Sequence, residues 1–79
     1  MLMVFMENNG MIMRLTEAEL ARLVGRRFAS AEDYAGTAVT TVLEIRIQNG
    51  RQLVVHKLYG RQRKTPLPVF MLRFPYALP

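Results

Sequence analysis

The dipeptide Asn49-Gly50, which separates two runs of β-prone residues, is the feature that most constrains the fold of this chain. A two-residue turn of the mirror type needs positive φ at both central residues, and Asn followed by Gly adopts that backbone at the lowest cost. The sequence therefore predicts a β-hairpin in which Gln48 faces Arg51 and the other pairs follow in register. In that register Leu43 faces His56.

Alternation of side chains along the hairpin predicts one apolar face and one mixed face. The apolar face comprises Thr41, Leu43, Ile45, Ile47, Val54, His56 and Leu58. The mixed face comprises Thr40, Val42, Glu44, Arg46, Gln48, Arg51, Leu53, Val55, Lys57 and Tyr59. We expect the cations of the mixed face to reach solvent. A lone histidine on an apolar face is typical of a core residue with satisfied hydrogen bonds, so we assign His56 no catalytic role.

The segment 16–28 is rich in helix-forming residues and predicts the main helix. Thr16 and Glu19 have the spacing of a capping box. One apolar stripe along this segment comprises Leu20, Leu23, Val24 and Phe28. We expect the stripe to pack on the apolar face of the hairpin.

The other segments complete an α+β prediction. The apolar runs 1–6 and 11–15 flank Asn9-Gly10 and predict a second hairpin. A short helix is expected at 31–35. Two helices on either side of Gly25 would allow a helix-turn-helix, but the acidic residues of the second helix would be repelled by DNA phosphates, so we disfavour this motif. Residues 60–68 are expected to form a basic loop, and residues 69–74 a last strand. The whole chain, 1–79, is then one domain with a mostly antiparallel sheet and helix 16–28 on one face.

The composition excludes several kinds of site. The chain has no cysteine and one histidine, so it can form neither a disulfide nor a multi-histidine metal site. Some metal-dependent nucleases have an acidic residue followed later, on a strand, by a second acid, any residue and a lysine. Asp33 followed by Glu44-Ile45-Arg46 is similar to this pattern. Arginine stands here in place of the lysine base, and arginine does not lose its proton. We therefore expect no catalytic residues, metal or cofactor, and a nuclease is the least favoured hypothesis.

Positive charge is concentrated in the second half of the chain. Residues 45–79 contain seven Lys and Arg residues and no acid, and the whole chain has a net charge of +5. Such a field attracts nucleic acid phosphates or acidic protein surfaces. The segment from Tyr59 to Lys64 is similar to arginine-rich RNA- and membrane-binding peptides. The expected binding residues are Arg46, Arg51, Lys57, Tyr59, Arg61, Arg63 and Lys64.

Two hypotheses for the function follow from this charge. The first is a small non-enzymatic protein that binds nucleic acid phosphates without strong sequence specificity. The second is a protein-interaction module, such as a phage or bacterial inhibitor or adaptor, whose basic patch docks on an acidic partner. A core this small also favours a homodimer or burial against a larger partner. No apolar run is long enough to predict a membrane span or a targeting segment, so we expect a cytoplasmic protein.

Overall fold

The computed structural model describes residues 14–32 and 36–79. The described chain forms, in order, α1 (Glu17–Leu23), β1 (Arg27–Ala29), β2 (Val39–Gln48), β3 (Arg51–Leu58), β4 (Arg61–Pro66), α2 (Leu67–Arg73) and β5 (Tyr76–Ala77). Its five strands form one antiparallel sheet in the order β4-β3-β2-β1-β5. The predicted α+β class is confirmed. The hairpin predicted around Asn9-Gly10 lies outside the described residues.

The predicted central hairpin is formed by β2 and β3. Asn49 and Gly50 have φ values of 50° and 75°, as a mirror-type turn requires. The predicted register is confirmed from the pair Gln48 and Arg51 at the turn through four more pairs to Glu44 and Val55.

A β-bulge between Val42 and Glu44 changes the register beyond that point. Val42, and not Leu43, faces His56, so the predicted pairing of Leu43 with His56 is wrong. One extra residue on β2 reverses the alternation of its side chains for the rest of the strand. Thr40 and Val42 are therefore buried, each 1% exposed, although the sequence placed both on the mixed face. Leu43, predicted in the core, is 40% exposed.

Helix α1 begins as predicted and ends earlier. The capping box is present: the Glu19 amide donates to Thr16 Oγ1 at 3.2 Å, and the Thr16 amide donates to Glu19 Oε1 at 2.9 Å. The helix ends at Leu23 because Gly25 takes φ +85° and its amide donates to the Val42 carbonyl at 2.8 Å. The predicted helix 16–28 was therefore too long, since Phe28 belongs to β1 and the exposed Val24 leaves the stripe.

A strand follows Gly25, which rules out the helix-turn-helix that the sequence disfavoured. The chain goes directly from the turn into β1, which pairs with β2. In the segment 31–35, Ala31 and Glu32 are not helical, and residues 33–35 lie outside the described part of the chain.

The basic segment is a strand and not the predicted loop 60–68. Tyr59 and Gly60 have φ values of 51° and 77° and form a second two-residue turn of the mirror type. After this turn, β4 pairs with β3 along its whole length. Because β4 is an edge strand, its charged side chains protect the sheet from pairing with other chains.

The segment predicted as a last strand, 69–74, belongs mostly to helix α2. The helix begins at Leu67 with a proline in its first turn, where a missing amide hydrogen costs nothing. Its buried side chains have the spacing of one helix face, and they are Leu67, Phe70, Met71 and, just after the helix, Phe74.

Both helices pack on the same face of the sheet. A single cluster of buried side chains joins α1, α2 and the sheet, and it comprises Leu15, Leu20, Leu23, Phe28, Val42, Val54, Leu67, Phe70, Met71 and Phe74. The domain therefore has two layers. We call the opposite side of the sheet the helix-free face, because no described helix packs on it; its members include Arg27, Thr41, Glu44, Arg46, Arg51, Val55, Lys57, Gln62 and Lys64.

Candidate functional site

Cross-strand pairing brings polar side chains from four strands together on the helix-free face. In one row across the sheet, Arg27 pairs with Thr41, Thr41 with Lys57, and Lys57 with Gln62. Directly opposed residues in antiparallel strands point to the same side, with Cβ atoms about 5 Å apart. The row therefore places two cations on the same surface, two strands apart, with a neutral hydrogen-bonding side chain between them.

Further cations lie on the same face in the neighbouring rows. Glu44, Val55 and Lys64 form the next row, Arg46 pairs with Leu53 beyond it, and Arg51 closes the hairpin. All five cations of the helix-free face are exposed, and they are Arg27, Arg46, Arg51, Lys57 and Lys64. The described part of the face thus carries positive charge from the β4 edge of the sheet to β1.

Glu44 is the acid among the described residues of the helix-free face, and it already has a partner. Its carboxylate accepts a hydrogen bond from Arg46 Nε, and both side chains are about half exposed, at 48% and 47%. An exposed pair of this kind contributes little to stability. Its local consequence is that Glu44 neutralises Arg46, and no other acid among residues 14–32 and 36–79 offsets the remaining four cations on that face.

The structure divides the predicted binding residues between two sides of the sheet. The helix-free face carries Arg46, Arg51, Lys57 and Lys64. The helix side carries the other two cations: Arg61 pairs with Leu58, and Arg63 pairs with His56. The prediction that these cations form one field is therefore wrong. It fails because the segment is a strand, in which successive side chains point in opposite directions. Tyr59 lies at the turn and is 79% exposed.

Two residues of the helix-free face were missed in the sequence. The sequence placed Arg27 either in the helix 16–28 or in a turn after Gly25, which can end a helix, and not on a strand. Tyr76 follows the last predicted strand, 69–74, and no structure was predicted for it, yet it lies in β5, pairs with Ala29 and is 57% exposed. A strand of two residues leaves no periodic pattern, so the position of Tyr76 could not be found from the sequence.

His56 lies on the opposite side, under α2, and it is 1% exposed. Its Nδ1 atom is 2.8 Å from Thr40 Oγ1, and its Nε2 atom is 2.8 Å from Thr65 Oγ1. The Thr40 hydroxyl donates its one hydrogen to the Lys57 carbonyl at 2.7 Å, so it can only accept from the ring. His56 is therefore protonated at Nδ1, and Nε2 accepts from the Thr65 hydroxyl.

This arrangement holds the ring in its neutral form. Burial is the first cause that lowers the pKa of His56, and the positive charges of Arg63 and Arg73 lower the pKa further. The ring also packs edge-on against Phe70 and Phe74, with centroid distances of 4.9 and 5.8 Å. The prediction that His56 is a core residue with satisfied hydrogen bonds is confirmed.

Two clefts lie near the hairpin turn. One, of about 360 Å³, is bordered by Arg14, Arg51 and Pro68. Beside it, Gln52 Oε1 accepts from the Leu15 amide at 3.1 Å, and Gln52 Nε2 donates to the Leu15 carbonyl at 2.8 Å. The other, of about 620 Å³, is an apolar groove between α1 and β2. Within residues 14–32 and 36–79, no three acidic or histidine side chains are grouped as a metal site requires. Asp33 of the nuclease hypothesis lies outside these ranges.

Comparisons with known proteins give no family for this chain. No protein-family model, no curated protein and no solved structure matches it. Neither of the helices that the structure describes is long and apolar enough to cross a membrane.

Proposed function

We propose that this protein binds nucleic acid through the phosphates, without strong sequence specificity, and that the helix-free face is the binding surface. The observation that carries the proposal is the grouping of five exposed cations from β1, β2, β3 and β4 on this face. Glu44, the acid beside them in the part of the chain that the structure describes, forms an ion pair with Arg46. A polyanion that docks there therefore meets attraction at several points and little repulsion.

The kinds of side chain on this face suit phosphate recognition. Arginine offers paired hydrogen-bond donors and lysine a mobile charge, and neutral donors such as Thr41 and Gln62 add hydrogen bonds between them. Contacts with phosphates fix the position of a nucleic acid and carry no sequence information. The proposal therefore predicts similar affinity for different sequences of the same length.

The test compares two triple variants that remove the same charge from opposite sides of the sheet. Replacement of Arg27, Lys57 and Lys64 by Ala removes three cations from the helix-free face. Replacement of Arg61, Arg63 and Arg73 by Ala removes three from the helix side. Both variants have a net charge of +2, against +5 for the wild type, so overall charge cannot explain a difference between them.

Binding is measured by fluorescence anisotropy with labelled 20-nucleotide DNA and RNA at several salt concentrations. The first variant should bind more weakly to every sequence. The slope of log K against log salt should become shallower by about 2 for three lost contacts on a single strand. The helix-side variant should keep a slope close to that of the wild type. Equal slopes for the two variants, or no binding by the wild type at low salt, would contradict the proposal; the second result would favour an acidic protein partner.

A further inference from the structure

A small apolar area lies at the β5 end of the helix-free face. Tyr76 and Val39 both pair with Ala29, one from each side, so the three side chains point to the same surface. Tyr76 is 57% exposed and Val39 is 42% exposed, while Ala29 between them is small and buried. An exposed aromatic ring with an exposed aliphatic neighbour on a sheet is a surface on which another planar group can stack.

This apolar area adjoins the row of cations. Arg27 lies two residues before Ala29 on β1 and therefore points to the same face. The backbone near Tyr76 is fixed to that strand, because the Leu78 amide donates to the Arg27 carbonyl at 2.9 Å. A chain of phosphates bound along Arg27 and Lys57 would bring its attached bases within reach of Tyr76.

The dimensions of the sheet disfavour a duplex as the ligand. Five strands about 4.8 Å apart are roughly 19 Å wide, whereas the DNA major groove is about 12 Å wide. The sheet therefore does not fit into the major groove of an unbent duplex and meets its outer phosphates, while the bases of the duplex are already stacked and paired. A single strand offers unstacked bases that an aromatic side chain can bind.

The geometry points to single-stranded nucleic acid as the ligand class, with one base stacked on Tyr76 beside Val39. This inference rests on the proposed function and adds the form of nucleic acid that the face selects. Tyr76 would contribute through its ring and not through its hydroxyl group. The stacked base gives little sequence preference, because every base has a flat face.

The experiment measures the affinity of a 20-nucleotide single strand and of the duplex with the same sequence. The duplex carries twice the phosphate charge, so a preference for the single strand cannot come from electrostatics alone. The wild type should bind the single strand more tightly. Tyr76→Ala should weaken single-strand binding about 5- to 150-fold, the equivalent of about 1–3 kcal/mol for one stacked base. Tyr76→Phe should bind like the wild type.

Leu72→Ala is the matched control, since Leu72 is also about half exposed, at 55%, but belongs to α2 on the helix side. Tyrosine fluorescence adds a direct readout, because the chain has three tyrosines and no tryptophan. In a Tyr34→Phe, Tyr59→Phe variant, the emission comes from Tyr76 alone and should be quenched by a stacked base.

The outcomes separate the two proposals. Equal affinity for single strand and duplex with the salt dependence retained, or a Tyr76→Ala variant that binds like Leu72→Ala, would overturn the inference about the ligand class alone. Absence of binding to either form by the wild type would overturn both proposals.

Discussion

At the scale of single residues, His56 is a titratable group in the core that is built to remain neutral. The hydrogen-bond chain from Thr65 through the ring to Thr40 uses each available hydrogen once. If Nε2 gained a proton, it would become the second donor of the ring and could no longer accept the hydrogen bond from the Thr65 hydroxyl. The cationic ring would also lie in a buried position near Arg63 and Arg73. Protonation of this one residue is therefore coupled to unfolding.

The first prediction is that acid destabilises the fold through His56. The pKa of His56 in the folded chain lies below its ordinary value of 6.5. Between that lowered pKa and about pH 6.5, the unfolded chain therefore binds a proton that the folded chain does not. The contribution of His56 to the free energy of unfolding should be constant above pH 7 and should decrease as the pH falls from about 6.5 to the folded pKa.

NMR tests this prediction directly, because the chain has a single histidine whose ring signals need no assignment. The titration midpoint of the folded protein should lie below 6.5, and the ring nitrogen shifts should report a neutral ring protonated at Nδ1. A midpoint at or above 6.5 would contradict the structure of this network.

At the scale of elements, the two hairpin turns have the same backbone conformation but differ in their first residue, which is Asn49 in one and Tyr59 in the other. Asparagine is one of the residue types that adopt positive φ most readily, because its short polar side chain is able to hydrogen-bond locally, whereas Tyr59 adopts φ 51° with a bulky side chain. A bulky residue in this conformation is a source of strain. The second turn is therefore the less favourable of the two.

Tyr59→Asn should stabilise the domain by up to about 1 kcal/mol, because it creates a second Asn-Gly turn without changing a buried contact. In a domain of this size, that corresponds to an increase in Tm of about 4–8 °C. Gly60→Ala is the opposite control and should lower the Tm, since Gly60 has φ 77°. A decrease in Tm for Tyr59→Asn would mean that the tyrosine side chain makes a stabilising contact.

Helix α1 is held to the sheet mainly by its buried leucines, and Leu23 is fully buried. Leu23→Ala should cost about 2–5 kcal/mol, a large part of the roughly 4–12 kcal/mol expected for 79 residues. Val24→Ala changes the neighbouring, 46% exposed residue and should cost less than about 0.5 kcal/mol. Urea denaturation of both variants measures the difference, and similar midpoints for the two would remove Leu23 from the core.

The sequence contained part of the information needed for the helices and strands. Asn49-Gly50 and the capping box at Thr16 and Glu19 are local signals, and both predictions were correct. Helix α2 was recognisable from Pro68 in its first turn and from the apolar spacing of Leu67, Phe70, Met71 and Phe74. Its short apolar core, VFMLRF, instead favoured a strand because short apolar runs fit either structure.

The bulge at Leu43 had no signal in the sequence. On this part of β2, one face has Thr40 and Val42 and the other has Thr41 and Leu43. Each pair consists of a threonine and an aliphatic residue, so either pair could face the core. Packing against His56 decides between them, and that contact is tertiary. One member of the candidate site, Lys64, depends on the same kind of information, because its separation from Arg61 and Arg63 follows from β4 being a strand.

At the scale of the whole molecule, the residues that stabilise the fold and the residues of the proposed binding surface lie on opposite sides of the sheet. The helices cover one side of the sheet and bury the apolar cluster and His56. The other side presents five cations on strands that are fixed by the same sheet. Substitutions of exposed residues on the helix-free face should therefore change binding without unfolding the domain.

The homodimer that the small core suggests stays a prediction. Val24 and Ile47, which border the apolar groove, are 46% and 56% exposed, and a second chain could cover such side chains. Sedimentation at micromolar concentration tests this hypothesis. A monomer whose stability does not change on dilution would contradict it.

The central claim, that the helix-free face binds nucleic acid, is tested most directly by an NMR titration that follows the arginine Nε–H signals. Arginine side chains lie on both sides of this sheet, so each serves as a reporter of its own surface. On addition of a 20-nucleotide single strand, the signals of Arg27, Arg46 and Arg51 should shift, while those of Arg22, Arg61 and Arg63 should change little. The largest shifts in Arg61 and Arg63, or uniform shifts in all six, would contradict the account.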